Sequence, residues 1–101
     1  MIVEHAQFTI SAGREAEFEA AFGSAIAIIA ASTGYLGHEL RRCIESPQRY
    51  LLLVRWRSLE DHTAGFRGSP AFAEWRAQIG GFFASPPFVE HFRSVHAAGA
   101  I

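Results

Sequence analysis

Along the first ten positions Ile2, Ala6, Phe8 and Ile10 alternate with His5, Gln7 and Thr9. This is the two-residue period of a strand with one wetter face, predicted here over 2–10. Beyond it Phe18, Phe22, Ala25, Ile26 and Ile29 recur at spacings of three and four, a broad apolar stripe on a helix over about residues 13–32. Ser11 is its expected cap and Ser32-Thr33-Gly34 its stop. Tyr35 to Ile44 and Arg49 to Arg57 read as extended stretches joined by Glu45-Ser46-Pro47-Gln48, hence a hairpin. Ser58 followed by Asp61 is a capping box with Asp in place of Glu, which starts a second helix at Leu59. Gly65 and Gly68 weaken that helix and Ser69-Pro70 restarts it, because Pro is tolerated where a helix begins and its missing N–H is not needed. The helix should therefore be broken in two. After Gly80-Gly81 and Pro86-Pro87, Phe88 to Val95 reads as a last strand.

Strand, helix, strand, strand, helix, strand is the α+β, ferredoxin-like plan (βαββαβ) of an antiparallel sheet with both helices on one face. In the third strand Tyr50, Leu52, Val54 and Trp56 point one way while Leu51, Leu53, Arg55 and Arg57 point the other, so both sheet faces are apolar at Leu51 and Leu53. Two helices cover one face only. The other should be covered by a second copy, giving a homodimer joined sheet to sheet as an α+β barrel.

At 101 residues the chain is one domain, 1–101, and with half of its residues hydrophobic it can fold a compact core. Nine Lys and Arg against ten Asp and Glu are not the footprint of a phosphate-binding surface, so no nucleic-acid partner is expected. The single Cys43 excludes an internal disulfide and any Cys-built metal site and fits a reducing compartment. Glu4 stands where a secretory signal would carry positive charge, and a cytoplasmic location is expected. The most apolar segment, Ala20 to Ala31, is too short for a membrane span of about 20 residues.

Of His5, His38, His62, His91 and His96, none forms a His-x-x-x-His pair or lies in a Cys-x-x-Cys frame, so no sequence-local zinc site is present. Gly-x-Gly-x-x-Gly, phosphate-loop and Gly-x-Ser-x-Gly patterns are also missing, which removes support for nucleotide and serine-hydrolase chemistry. What remains is the inner face of the second helix, with Leu59, His62 and Phe66 on its first half and Phe72, Trp75, Arg76 and Ile79 on its second. Trp56, ending the third strand, can reach the same volume. The rings read either as core or as pocket walls. His62 and Arg76 interrupt an apolar stripe, which costs free energy unless they are paired, lie at its edge or face a wet cavity.

The run Gly34-Tyr35-Leu36-Gly37-His38-Glu39-Leu40-Arg41-Arg42, the strand from Arg49 through Trp56-Arg57-Ser58 to Asp61, and the Phe66…Ser69-Pro70…Phe72 spacing resemble the antibiotic biosynthesis monooxygenase domain over about residues 3–95. The resemblance implies a dimeric α+β barrel. For its best-known members it implies oxygenation of a quinol or polyphenol by O₂ with no metal or organic cofactor, the substrate supplying the electrons. Trp56 matches the pocket indole of the polyketide-quinone-forming members and Arg76 their pocket arginine. His62 stands where they have a tyrosine, and Leu52 where they have an asparagine. Haem-degrading relatives use an Asn, a Trp and a His at positions occupied here by Ala6, Phe66 and Arg76, so that reaction is not expected. The expected site thus has His62 and Arg76 as catalytic groups and Trp56, Phe66, Phe72 and Trp75 as substrate-binding walls around a small aromatic molecule, with no cofactor. The alternative is a dimer of the same fold that binds a small ligand or serves structurally without catalysis.

Overall fold

A computed structural model describes residues 1–99. Strand β1 (Ile2–Thr9), helix α1 (Glu15–Ala30), β2 (Tyr35–Arg42), β3 (Arg49–Trp56), helix α2 (Pro70–Ile79) and β4 (Phe88–Phe92) follow in order. A π-helical turn, Asp61–Phe66, precedes α2, and a 3₁₀ turn, Gly80–Phe82, follows it. The sheet is antiparallel in the order β2-β3-β1-β4, the ferredoxin-like α+β arrangement. No helix among the described residues is long and apolar enough to cross a membrane.

Strand alternation sorts the side chains as expected. Tyr50, Leu52, Val54 and Trp56 of β3 are buried against Phe18, Phe22, Ala25 and Ile29 of α1, together with Ala6 and Phe8 of β1. On the opposite face Leu51 and Leu53 are half-buried and Arg55 is exposed.

The element ends differ from the sequence expectation for local reasons. Helix α1 starts at Glu15 rather than near 13 because Gly13 has φ +84°, outside the helical region. Ser11 meets Arg14 through its backbone carbonyl (3.1 Å) and does not cap the helix with its side chain. The stop at Gly34 holds, with φ +86°, and its carbonyl accepts the Arg57 N–H at 2.8 Å, tying the start of β2 to the end of β3. Strand β4 ends at Phe92 rather than Val95 because Phe92 pairs with Val3, and β1 has almost no backbone left beyond it to pair.

The expected break in the second helix is present, and its first part is a π turn. Ser58 Oγ accepts the Asp61 N–H at 3.2 Å, while the Asp61 carboxylate turns instead to Arg57 at 3.1 and 3.2 Å. The Arg67 N–H reaches the His62 carbonyl five residues back at 2.9 Å. Widening the turn keeps His62 and Phe66 on one line but rotates Leu59 away from them, so Leu59 is exposed rather than part of the inner stripe.

Candidate functional site

A cavity of about 730 Å³ opens beneath the second helical segment, within the usual size of a small-molecule site. Its floor is the inner sheet face at Glu4, Ala6, Leu52 and Val89. Its roof is His62 and Phe66 from the π turn with Phe72, Trp75 and Arg76 from α2, and residues 83–87 close one side. The sequence-predicted His62, Phe66, Phe72, Trp75 and Arg76 are therefore brought together. Arg76 is exposed at the rim, its guanidinium carbon 5.8 Å from the Phe72 ring centroid. Leu52 is an aliphatic part of the floor.

Trp56 is placed differently. Its side chain is fully buried and absent from the cavity wall; it stands behind the wall, stacked on the His62 ring at a centroid distance of 5.1 Å and 17°. The indole N–H donates to Glu4 Oε1 at 3.0 Å. Trp56 thus orients two wall residues.

Glu4 and His62 are the two buried polar side chains among the described residues. They meet with His62 Nε2 3.3 Å from Glu4 Oε1, and on its far side His62 Nδ1 shares a hydrogen bond of 2.7 Å with His91 Nε2. The pairing register explains the convergence. Glu4 lies opposite Val54 on one side and His91 on the other, so its side chain and that of His91 leave the same sheet face, directly under the π turn. Among the described residues no group of three or more His, Cys, Asp or Glu is arranged to hold a metal ion; these three face one another rather than a common point.

Burial sets the proton affinities. It pushes the Glu4 carboxyl up, against the Trp56 hydrogen bond and the positive charge of Arg67. It pulls His62 down to about 4, helped by the charges of His91 and Arg67, and it lowers His91 as well, again with Arg67 contributing. With its pKa held at about 4, His62 stays neutral near pH 7 despite the short contact with Glu4.

Glu4, His91 and Arg67 were absent from the sequence-derived site. For Glu4 a signal existed: it is in phase with Ile2, Ala6, Phe8 and Ile10, and a carboxylate on the apolar face of a strand is costly unless a site uses it. His91 carried none, because only the β1–β4 register brings it to Glu4.

The model of the family described as antibiotic biosynthesis monooxygenase matches residues 1–78. The chain is 48% identical over 95 residues to the uncharacterized protein YczJ of Bacillus subtilis, covering 94% of this chain and all of that one. A solved structure from Bordetella bronchiseptica, described under the same family term, superposes with a TM-score of 0.91 at 42% identity, covering 94% of this chain and 97% of that one. SnoaB of Streptomyces nogalater, a cofactor-independent oxygenase, superposes with a TM-score of 0.81 at 21% identity over 95% and 94% of the two chains, a likeness of fold.

Proposed function

Since the chain belongs to the antibiotic biosynthesis monooxygenase family, we propose that its cavity binds an electron-rich aromatic, a quinol or polyphenol, and oxygenates it with O₂ without a cofactor. The observation that carries this reading is the pairing of a neutral, buried imidazole with an exposed guanidinium across one aromatic-walled cavity. Phe66, Phe72 and Trp75 offer ring faces to a flat substrate. Arg76 at the rim stabilises the oxyanion of an ionised phenol, and His62 moves the proton.

For an anthrone, whose anthrol tautomer is a phenol, the steps balance as follows. Loss of one proton gives a delocalised anion. Its ring carbon passes an electron to O₂ and a carbon–oxygen bond forms, leaving a peroxide that takes up the proton. The O–O bond then breaks as the remaining hydrogen on that carbon leaves, giving a carbonyl and water. One oxygen atom enters the product, the other leaves as water, and the substrate supplies every electron. The protein's part is to exclude water, hold the ring and manage one proton.

The uncovered sheet face, with Val3, Leu51 and Leu53 half-buried, Phe88 and Phe92 exposed, and Glu39 paired with Arg41 beside them, supports a homodimer joined through that face. Leu52 and His62, at positions where the resemblance implies an amide and a phenol, favour a second reading in which the same cavity binds an aromatic without oxidising it.

Oxygen uptake with a panel of anthrols and hydroquinones decides between them. The proposal expects uptake above the buffer blank that falls in both His62→Ala and Arg76→Ala. Variants that match the parent overturn it, and saturable ligand binding without uptake establishes the second reading.

A further inference from the structure

The line Glu4–His62–His91 does more than place one imidazole in a pocket. Its first member lines the cavity, its second is 3% exposed, and its third is half-buried and does not line the cavity. The contacts join opposite edges of one ring: Nε2 to Glu4 Oε1 at 3.3 Å and Nδ1 to His91 Nε2 at 2.7 Å. A neutral imidazole carries one proton and can hold it at either nitrogen. With the proton at Nδ1, His62 donates to His91 and has a free lone pair toward Glu4. With the proton at Nε2, it donates to Glu4 and accepts from His91.

Passing from the first arrangement to the second moves a proton from Glu4 to His91 while His62 begins and ends neutral. Resting on the reading of this cavity as an acid–base site, we infer that Glu4, His62 and His91 form a proton relay, with Glu4 the group that takes the substrate proton and His91 the residue that stores it on the far side of the wall. Burial explains why a single imidazole would serve poorly here. A ring this enclosed resists a positive charge, whereas a relay never places one on it and delivers it to the more accessible His91. The stored proton returns by the same line to the peroxide, so the reaction described above stays balanced.

Each member has a fixed reason to be where it is. The Trp56 N–H anchors Glu4 at Oε1, the same oxygen that faces His62 Nε2. Trp56 and Phe66, themselves 6.1 Å apart, both pack against the His62 ring, at 17° and 20° to it, and fix its plane. The β1–β4 pairing of Glu4 with His91 sets the span. Charged groups facing the line are Glu4 itself from β1, His91 from β4 and Arg67 just after the π turn. Glu4 is on this account a catalytic residue and His91 a positioning residue that acts through His62.

The experiment reads the histidine rings of the full chain directly by ¹⁵N NMR over a pH series, with no need of a substrate. The relay predicts that His62 nitrogen shifts change twice, once as His91 titrates and again at their own lower pH. His91→Gln should remove the first change and raise the His62 titration by about half a unit or more, since a like-charged neighbour is lost. His62 shifts that ignore the titration of His91, together with an unchanged His62 midpoint in His91→Gln, overturn the relay. Should His91→Gln not fold, the parent series alone decides. If an anthrol is turned over, Glu4→Gln and His91→Gln should each lower kcat about tenfold or more at little cost in KM, and parental kcat in both variants overturns the relay. If nothing is turned over, the oxygenase reading fails while the NMR result still stands or falls by itself.

Discussion

Replacing His62 with Phe isolates the cost of holding an imidazole where it resists a charge. Phe keeps a ring packed against Trp56 and Phe66, at centroid distances of 5.1 and 6.3 Å in the parent, and removes both ring nitrogens. Folding holds the His62 pKa at about 4 against 6.5 ordinarily. The unfolded chain therefore binds more protons than the folded one between those values, and stability falls as pH falls through that window. At about 1.4 kcal/mol per unit, His62 accounts for a loss of about 3 kcal/mol between roughly pH 7 and pH 4. His62→Phe should be less stable than the parent near neutral pH by about 1–3 kcal/mol, because His91 Nε2 loses its partner and Glu4 a close polar neighbour. That deficit should shrink by about 3 kcal/mol on going to about pH 4, where the parent alone pays for charging the ring. Urea unfolding of both proteins across the range measures the difference, and titrations common to both largely cancel. A deficit of equal size at both ends of the range refutes the assignment of a depressed pKa to His62.

Three further outcomes follow from the same geometry. The Glu4 pKa is raised by burial, so its contribution to stability is complete below its ordinary value and lost as pH rises through the folded one. Glu4→Gln, which keeps an oxygen for the Trp56 N–H, should gain stability over the parent at alkaline pH relative to acid pH, by about 1.4 kcal/mol per unit of that rise; urea unfolding at two pH values checks this, and a gain equal at both contradicts it. Gly34→Ala should cost about 1–3 kcal/mol, read as a lowered thermal midpoint by circular dichroism, because φ is +86° there and a Cβ would run into the Asp61 carboxylate; an unchanged midpoint counts against it. Leu53→Asp on the uncovered sheet face should convert the proposed dimer to a monomer by analytical ultracentrifugation at micromolar concentration, whereas a parent already monomeric there removes the dimer from the account.

The fold was legible because its signals are local. The two-residue period of β3, the spacing of Phe18, Phe22, Ala25 and Ile29, the Gly34 stop and the Ser69-Pro70 restart each specify an element within a few residues of themselves. The strand order completes them. The cavity was legible in part for the same reason, since His62, Phe66, Phe72, Trp75 and Arg76 belong to one continuous stretch of chain and face one way. What escaped was set at long range. Trp56 lies close in sequence to the site yet stands behind its wall, because the alternation of β3 aims the indole into the core beside Glu4. His91 enters through a strand pairing that spacing along the chain does not encode. Leu59 was misplaced because a π turn and an α turn share the same residue types but differ in pitch.

The central claim, that this cavity inserts one atom of O₂ into an aromatic, is tested most directly with labelled oxygen. The parent protein is incubated with anthrone under ¹⁸O₂ and the quinone product is analysed by mass spectrometry against a protein-free control. The account predicts enzyme-dependent product carrying one ¹⁸O atom per molecule, with the second atom recovered in water. Product formed no faster than in the control, or unlabelled product, would contradict it.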